Sequence, residues 1–141
     1  SEPVVDSEPA APVTQGSLVG SWVSEGADVA PLLAGPPFGV TRVDATFRAN
    51  GSYLVVSRDG QGNSVEFQGS YSVDTRTNPR GITLSQASPV EAQVAGVWRL
   101  NGTTLRYDVV DLSLGTPASP EGGLGSSSAG AANVQIYQRV P

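Results

Sequence analysis

Residues 41–74 read TRVDATFRANGSYLVVSRDGQGNSVEFQGSYSVD, and this stretch decides the fold. Val43, Ala45 and Phe47 alternate with Arg42, Asp44, Thr46 and Arg48, the period of two that sends successive side chains to opposite faces of a strand. Asn50-Gly51 comes next; both residues tolerate positive φ, which makes the pair the strongest short-range hairpin signal. Residues 52–58 (SYLVVSR) return, and Asp59-Gly60-Gln61-Gly62 turns the chain again. Over residues 64–74, Val65, Phe67, Gly69, Tyr71 and Val73 share one face, and Glu66, Gln68, Ser70 and Ser72 share the other. Strands joined by turns this short lie antiparallel, each beside its chain neighbour.

The same grammar extends in both directions. Upstream, residues 18–23 (LVGSWV) form a short apolar strand. A longer connection over 24–40 follows, with Asp28 placed to cap a helical turn at 29–33 and Gly35-Pro36-Pro37 placed to end it. Downstream, Asn78-Pro79 turns the chain into a strand at 81–86 (GITLSQ), and Ser88-Pro89 centres the loop after it. Residues 94–100 (VAGVWRL) and 103–110 (TTLRYDVV) flank Asn101-Gly102 as a further hairpin. Residues 115–131 are a low-complexity run of Gly, Ser, Ala and Pro, expected to be a flexible loop. Residues 132–140 (ANVQIYQRV) supply the last strand.

About eight sequential strands, most of them apolar on one side, must hide that side from water. Closing the sheet on itself does so and removes both open edges. A two-sheet sandwich would need Greek-key crossovers, and most of these connections are too short for them. The expected fold is therefore all-β: an antiparallel up-and-down barrel of about eight strands spanning residues 16–141. The inward set is Trp22, Val43, Phe47, Tyr53, Val55, Phe67, Tyr71, Val73, Ile82, Leu84, Trp98, Leu100, Leu105, Tyr107, Val109 and Ile136. A barrel of this size has room for packed side chains or one small ligand. So many bulky residues predict a mostly filled interior with a shallow mouth, where Tyr53, Tyr71 and Tyr107 offer hydroxyls.

Composition bounds the function. There is no Cys, His, Met or Lys, and all eight cations are arginine. Ser–His–Asp, Cys–His and Ser–Lys machinery all need residues the chain lacks. Asp, Glu and Tyr remain as proton carriers. A glycosidase-type carboxylate pair would have to come from Glu66, Asp108 and Asp111, which fall at outward or strand-end positions. No enzyme, no cofactor and no transition-metal site is expected. Residues 59–63 (DGQGN) look faintly like a calcium loop, but a plain hairpin turn accounts for them. Asn50-Gly51-Ser52 and Asn101-Gly102-Thr103 match the glycosylation sequon, and each is also an ideal hairpin turn.

Net charge is −5, with Glu2, Asp6 and Glu8 near the start; ten acids against eight arginines remain beyond them. That balance excludes the basic face of a nucleic-acid binder and disfavours an anionic membrane surface as partner. Residues 1–15 (SEPVVDSEPAAPVTQ) read as a disordered, acidic, proline-rich linker. Such a linker ahead of a compact domain leads to an expectation of export, as a periplasmic, cell-surface lipoprotein or secreted domain. A membrane would then be met only through an N-terminal lipid anchor. Arginine without lysine, amid abundant alanine and glycine, suggests a high-GC bacterial source.

Several short motifs, in order, carry a family resemblance. Gly20-Ser21-Trp22 after Leu18-Val19 resembles the Gly-x-Trp motif on the first strand of lipocalins and other calycins. Residues 47–53 (FRANGSY), Gly69-Ser70-Tyr71, residues 97–105 (VWRLNGTTL) and Tyr137-Gln138-Arg139 resemble successive strands of bacterial lipocalin-like domains. The resemblance implies a calycin-type barrel over roughly residues 16–140, with Arg139 packed on Trp22. It implies a small apolar or amphipathic ligand, in a pocket lined by Phe47, Phe67, Tyr71, Trp98 and Tyr107. The alternative is a filled barrel that binds another protein, as an inhibitor or envelope component; bacterial metalloprotease inhibitors use a similar barrel. A structural surface domain is the third reading. An interior cavity above about 300 Å³ and open to solvent favours the ligand carrier, and a filled barrel with an exposed apolar loop patch favours the protein binder.

Overall fold

A computed structural model describes residues 17–141, so the linker expected at residues 1–15 lies outside the described residues. Eight strands form a closed barrel in which each is hydrogen-bonded to its chain neighbours and the last pairs with the first. They are β1 (Gly20–Glu25), β2 (Val40–Phe47), β3 (Ser52–Asp59), β4 (Ser64–Asp74), β5 (Arg80–Ser88), β6 (Ala92–Asn101), β7 (Thr104–Asp111) and β8 (Gln135–Arg139). Every pairing is antiparallel. The expected up-and-down barrel is the observed fold. No helix among the described residues is long and apolar enough to cross a membrane.

Pairing around the ring is uneven. β2 to β7 are joined by long ladders, whereas β1 meets β8 over two ladder pairs, Trp22↔Arg139 and Val23↔Gln138, extended by one bond from the Val140 N–H to the Ser21 carbonyl. Side chains reinforce that seam. The Arg139 guanidinium lies 4.2 Å from the centre of the Trp22 ring, and its Nη1 and Nη2 donate to the carbonyls of Val19 and Ser17 at 3.0 and 2.9 Å. Trp22 Nε1 donates to the Leu18 carbonyl at 2.9 Å. Gly20 adopts φ +139°, and a Cβ there would come within 2.6 Å of Arg139 Nη1. The glycine of the Gly-x-Trp motif thus makes room for the arginine that covers the indole.

The two ends of the barrel differ. At the end where β2 turns into β3 and β6 into β7, Trp22, Phe47, Trp98 and Leu105 are fully buried and close the interior. Phe47 meets Tyr71 edge-on at 5.1 Å and Tyr53 at 6.3 Å. Trp98 donates Nε1 to the Gly81 carbonyl and lies beneath Arg80. β4 and β5 slip register at Gln68/Gly69, where a Cβ on residue 69 would overlap the Ser85 carbonyl oxygen at 2.0 Å; only glycine fits that crossing.

Three local expectations are corrected. Asp28 caps no helix: residues 26–28 make a 3₁₀ turn, and the short helix α1 (Pro31–Ala34) begins at Pro31 with no side-chain cap. Proline needs no partner for its missing N–H at the first helical position. On β8 the inward residues are Gln135, Tyr137 and Arg139, not Ile136. Each of the three finds a polar partner inside: Gln135 binds Ala30, Tyr137 binds Tyr107, and Arg139 binds Ser17 and Val19. Finally, the low-complexity run at residues 115–131 is docked on the barrel's outer wall. Asp108 Oδ2 accepts from Gly125 N–H at 2.8 Å and Oδ1 from Asn133 Nδ2 at 2.7 Å. Beneath it Val97, directly across from Asp108, is wholly buried although it points away from the interior.

Candidate functional site

The interior is half filled. Above the aromatic floor a cavity of about 480 Å³ opens at the end of the barrel that carries the β3–β4 and β5–β6 turns. The expectation of a shallow mouth over a filled interior therefore holds only for the closed half. Along β3 the period of two brings Tyr53, Val55, Ser57 and Asp59 onto the cavity wall in order of height. β4 adds Val65 and Phe67, β5 adds Leu84 and Gln86, β6 adds Val94, and β7 adds Tyr107 and Val109.

β8 and the long first connection complete the wall. Tyr137 and Gln135 face in from β8, and Leu33 and Phe38 lean over from α1 and the loop after it. The connection is held there because Gln135 Oε1 accepts the Ala30 N–H. Of the five residues expected to line a pocket, Phe67 and Tyr107 do. Phe47, Tyr71 and Trp98 belong to the closed end instead. Tyr71 donates its hydroxyl to the Arg48 carbonyl at 2.8 Å, away from the opening.

Lining residues beyond the expected set follow two rules. Val55, Ser57 and Asp59 were legible from the alternation of β3. Gln135 and Tyr137 were hidden by the alternation of β8, where the apolar set (Val134, Ile136, Val140) is the wrong one. The arginine–tryptophan stack was the signal that could have revealed it: an inward Arg139 forces Tyr137 and Gln135 inward as well.

Electrostatically the wall is quiet. It carries no cation, and its one charged residue among those described is Asp59 at the rim. Asp59 closes the β3–β4 turn by accepting from the N–H groups of Gln61 and Asn63, each at 2.9 Å, and from Asn63 Nδ2. Those bonds, from Asn63 first, hold its carboxyl below the ordinary carboxylate range. Burial pushes the Tyr53 hydroxyl up to about 12. Burial also raises Tyr107, and raises Tyr137 well above the usual phenol range, helped by the neighbouring Tyr107.

The linkage signs follow. Carboxyls lowered on folding, such as Asp59 and Asp74, contribute stability that is present above the unfolded value and lost as pH falls through the folded one. Tyrosines raised on folding contribute stability that is present below about pH 10 and lost as pH rises beyond it. Without His, Lys or Cys, only the amino terminus titrates between these limbs. The thermal midpoint should be flat from about pH 5 to pH 9 and fall on both sides. Midpoints measured across that range that drift steadily, rather than forming a plateau, would show a titrating group unaccounted for.

Compared with protein-family models, curated proteins and solved structures, the chain finds no match.

Proposed function

We propose that this is a non-enzymatic, lipocalin-like carrier domain that holds a small apolar or amphipathic molecule in the open half of its barrel. The observation that carries the reading is the cavity itself. Its volume of about 480 Å³ falls within the range of small-molecule sites, about 300–1,000 Å³. Its wall is mainly Val, Leu, Phe and Tyr, with a few polar groups among them. The acidic, proline-rich composition of residues 1–15 fits an exported setting.

The test is fluorescence of phenylnaphthylamine, a probe that brightens in apolar cavities. The wild-type protein should bind it saturably. Val55→Trp, which places an indole in the cavity, should weaken binding at least about tenfold while leaving cooperative unfolding intact. A wild-type protein that neither binds the probe nor releases any small molecule in native mass spectrometry overturns the carrier reading.

The rim favours a second reading. Leu114 is 85% exposed and Phe38 56%, and Leu32, Val65, Val90 and Leu112 are exposed beside the opening. Scattered apolar residues need no explanation, but a collar around one end is the pattern of a protein-binding surface. On this reading, simultaneous Val90→Ser and Leu114→Ser substitution abolishes capture of a protein partner and spares the probe.

A further inference from the structure

The carrier reading leaves the ligand's chemistry open, and the tyrosines on the wall narrow it. The hydroxyls of Tyr107 and Tyr137 are 2.8 Å apart. Two hydroxyls bring two protons, and the hydrogen bond between them uses one. Burial decides which proton is left. Tyr137 is wholly buried, so the proton it carries is the one spent on Tyr107. The Tyr107 proton then has no acceptor among the described residues. Tyr107, by contrast, keeps some surface on the cavity.

A donor facing an apolar cavity without a partner is costly, and a ligand that supplies an acceptor relieves the cost. The sign of the site sets the other limit. No cation lines the cavity, and Asp59 stands at its rim. An anion would lose its water with no counter-charge in return. We infer that the cavity takes a neutral, largely apolar molecule carrying a hydrogen-bond acceptor, such as a ketone or ester carbonyl, to which the Tyr107 hydroxyl donates. This inference rests on the carrier reading.

Three probes of one skeleton test it: naphthalene, acetylnaphthalene and naphthoic acid, titrated calorimetrically at neutral pH. Acetylnaphthalene should bind about threefold to tenfold tighter than naphthalene, the worth of one neutral hydrogen bond. Naphthoate should bind at least about tenfold more weakly than the ketone. Tyr107→Phe should bring the ketone and the hydrocarbon level, while Leu114→Ser, outside the cavity, preserves their ratio. Equal binding of naphthalene and acetylnaphthalene by the wild-type protein overturns the inference and leaves the carrier reading standing. Tightest binding by naphthoate, or an unchanged ratio in Tyr107→Phe, also overturns it. Binding of none of the three sinks the carrier reading as well. The wild-type comparison decides the matter even if a variant fails to fold.

Discussion

Trp22→Ala is expected to cost about 3–5 kcal/mol of folding stability, the range for removing a large aromatic side chain from a packed core. Trp22 is 1% exposed and sits at the β1–β8 seam, where two ladder pairs and the Val140–Ser21 bond close the ring. Its loss opens a cavity in the closed end and removes the ring that Arg139 covers at 4.2 Å. A cation–π contact of this kind adds about 0.5–2 kcal/mol. A domain of this size has only about 5–15 kcal/mol in total, so the thermal midpoint should fall by about 10–20 °C. Trp98 is the second of the two tryptophans and remains as a fluorescent reporter in denaturant titrations of the variant. A loss below about 1 kcal/mol would mean that the seam is not held by this side chain. Because the open cavity lies at the other end, the carrier reading expects the folded fraction of Trp22→Ala still to bind phenylnaphthylamine with nearly wild-type affinity.

That separation of ends was only partly legible in the sequence. Alternation in residues 41–74 and the Asn-Gly turns specified the strands, their order and their antiparallel sense, because period and turn chemistry are local properties. Gly20 and Trp22 pointed to a plugged end for the same reason. What alternation cannot give is height along the barrel axis. Phe47, Tyr71 and Trp98 share their inward sense with Phe67 and Tyr107, yet the first three lie near the closed end and the other two line the cavity. Height depends on where each strand begins and on its stagger against the next, and the slip at Gln68/Gly69 shifts that stagger midway round the ring. β8 misled for a different reason. Its outward Ile136 is more apolar than its inward Gln135 and Arg139, so hydrophobicity alone chooses the wrong face. Inward polar residues were affordable there because each had a specific partner, and partners thirty or a hundred residues away are not visible in a local pattern.

Asp108→Ala is expected to release residues 112–134 from the barrel wall, at a cost of about 2–4 kcal/mol. Composition predicts a flexible loop for this run, since glycine and serine carry little apolar surface to bury. What overrides composition is one acceptor on β7. Asp108 is completely buried, and its two oxygens take the Gly125 N–H and the Asn133 amide. Asn133 also donates to the Val109 carbonyl, so the end of the loop is pinned beside the strand. Removing the carboxylate leaves two donors unpaired under the loop, each worth about 1–3 kcal/mol. The loop can answer only by exposing them to water, and with them Val97. Limited proteolysis should then cut within residues 112–134 in Asp108→Ala under conditions where the wild-type protein survives. Asp108→Asn keeps one acceptor oxygen and should fall between the two. Equal resistance of all three proteins would show that the loop is held by contacts other than Asp108. The consequence reaches the site as well: α1 packs against the short turn at Ala131–Asn133, and Leu33 of α1 lines the cavity. Freeing the loop should therefore loosen one wall of the opening, seen as faster release of phenylnaphthylamine with the floor of the barrel unchanged.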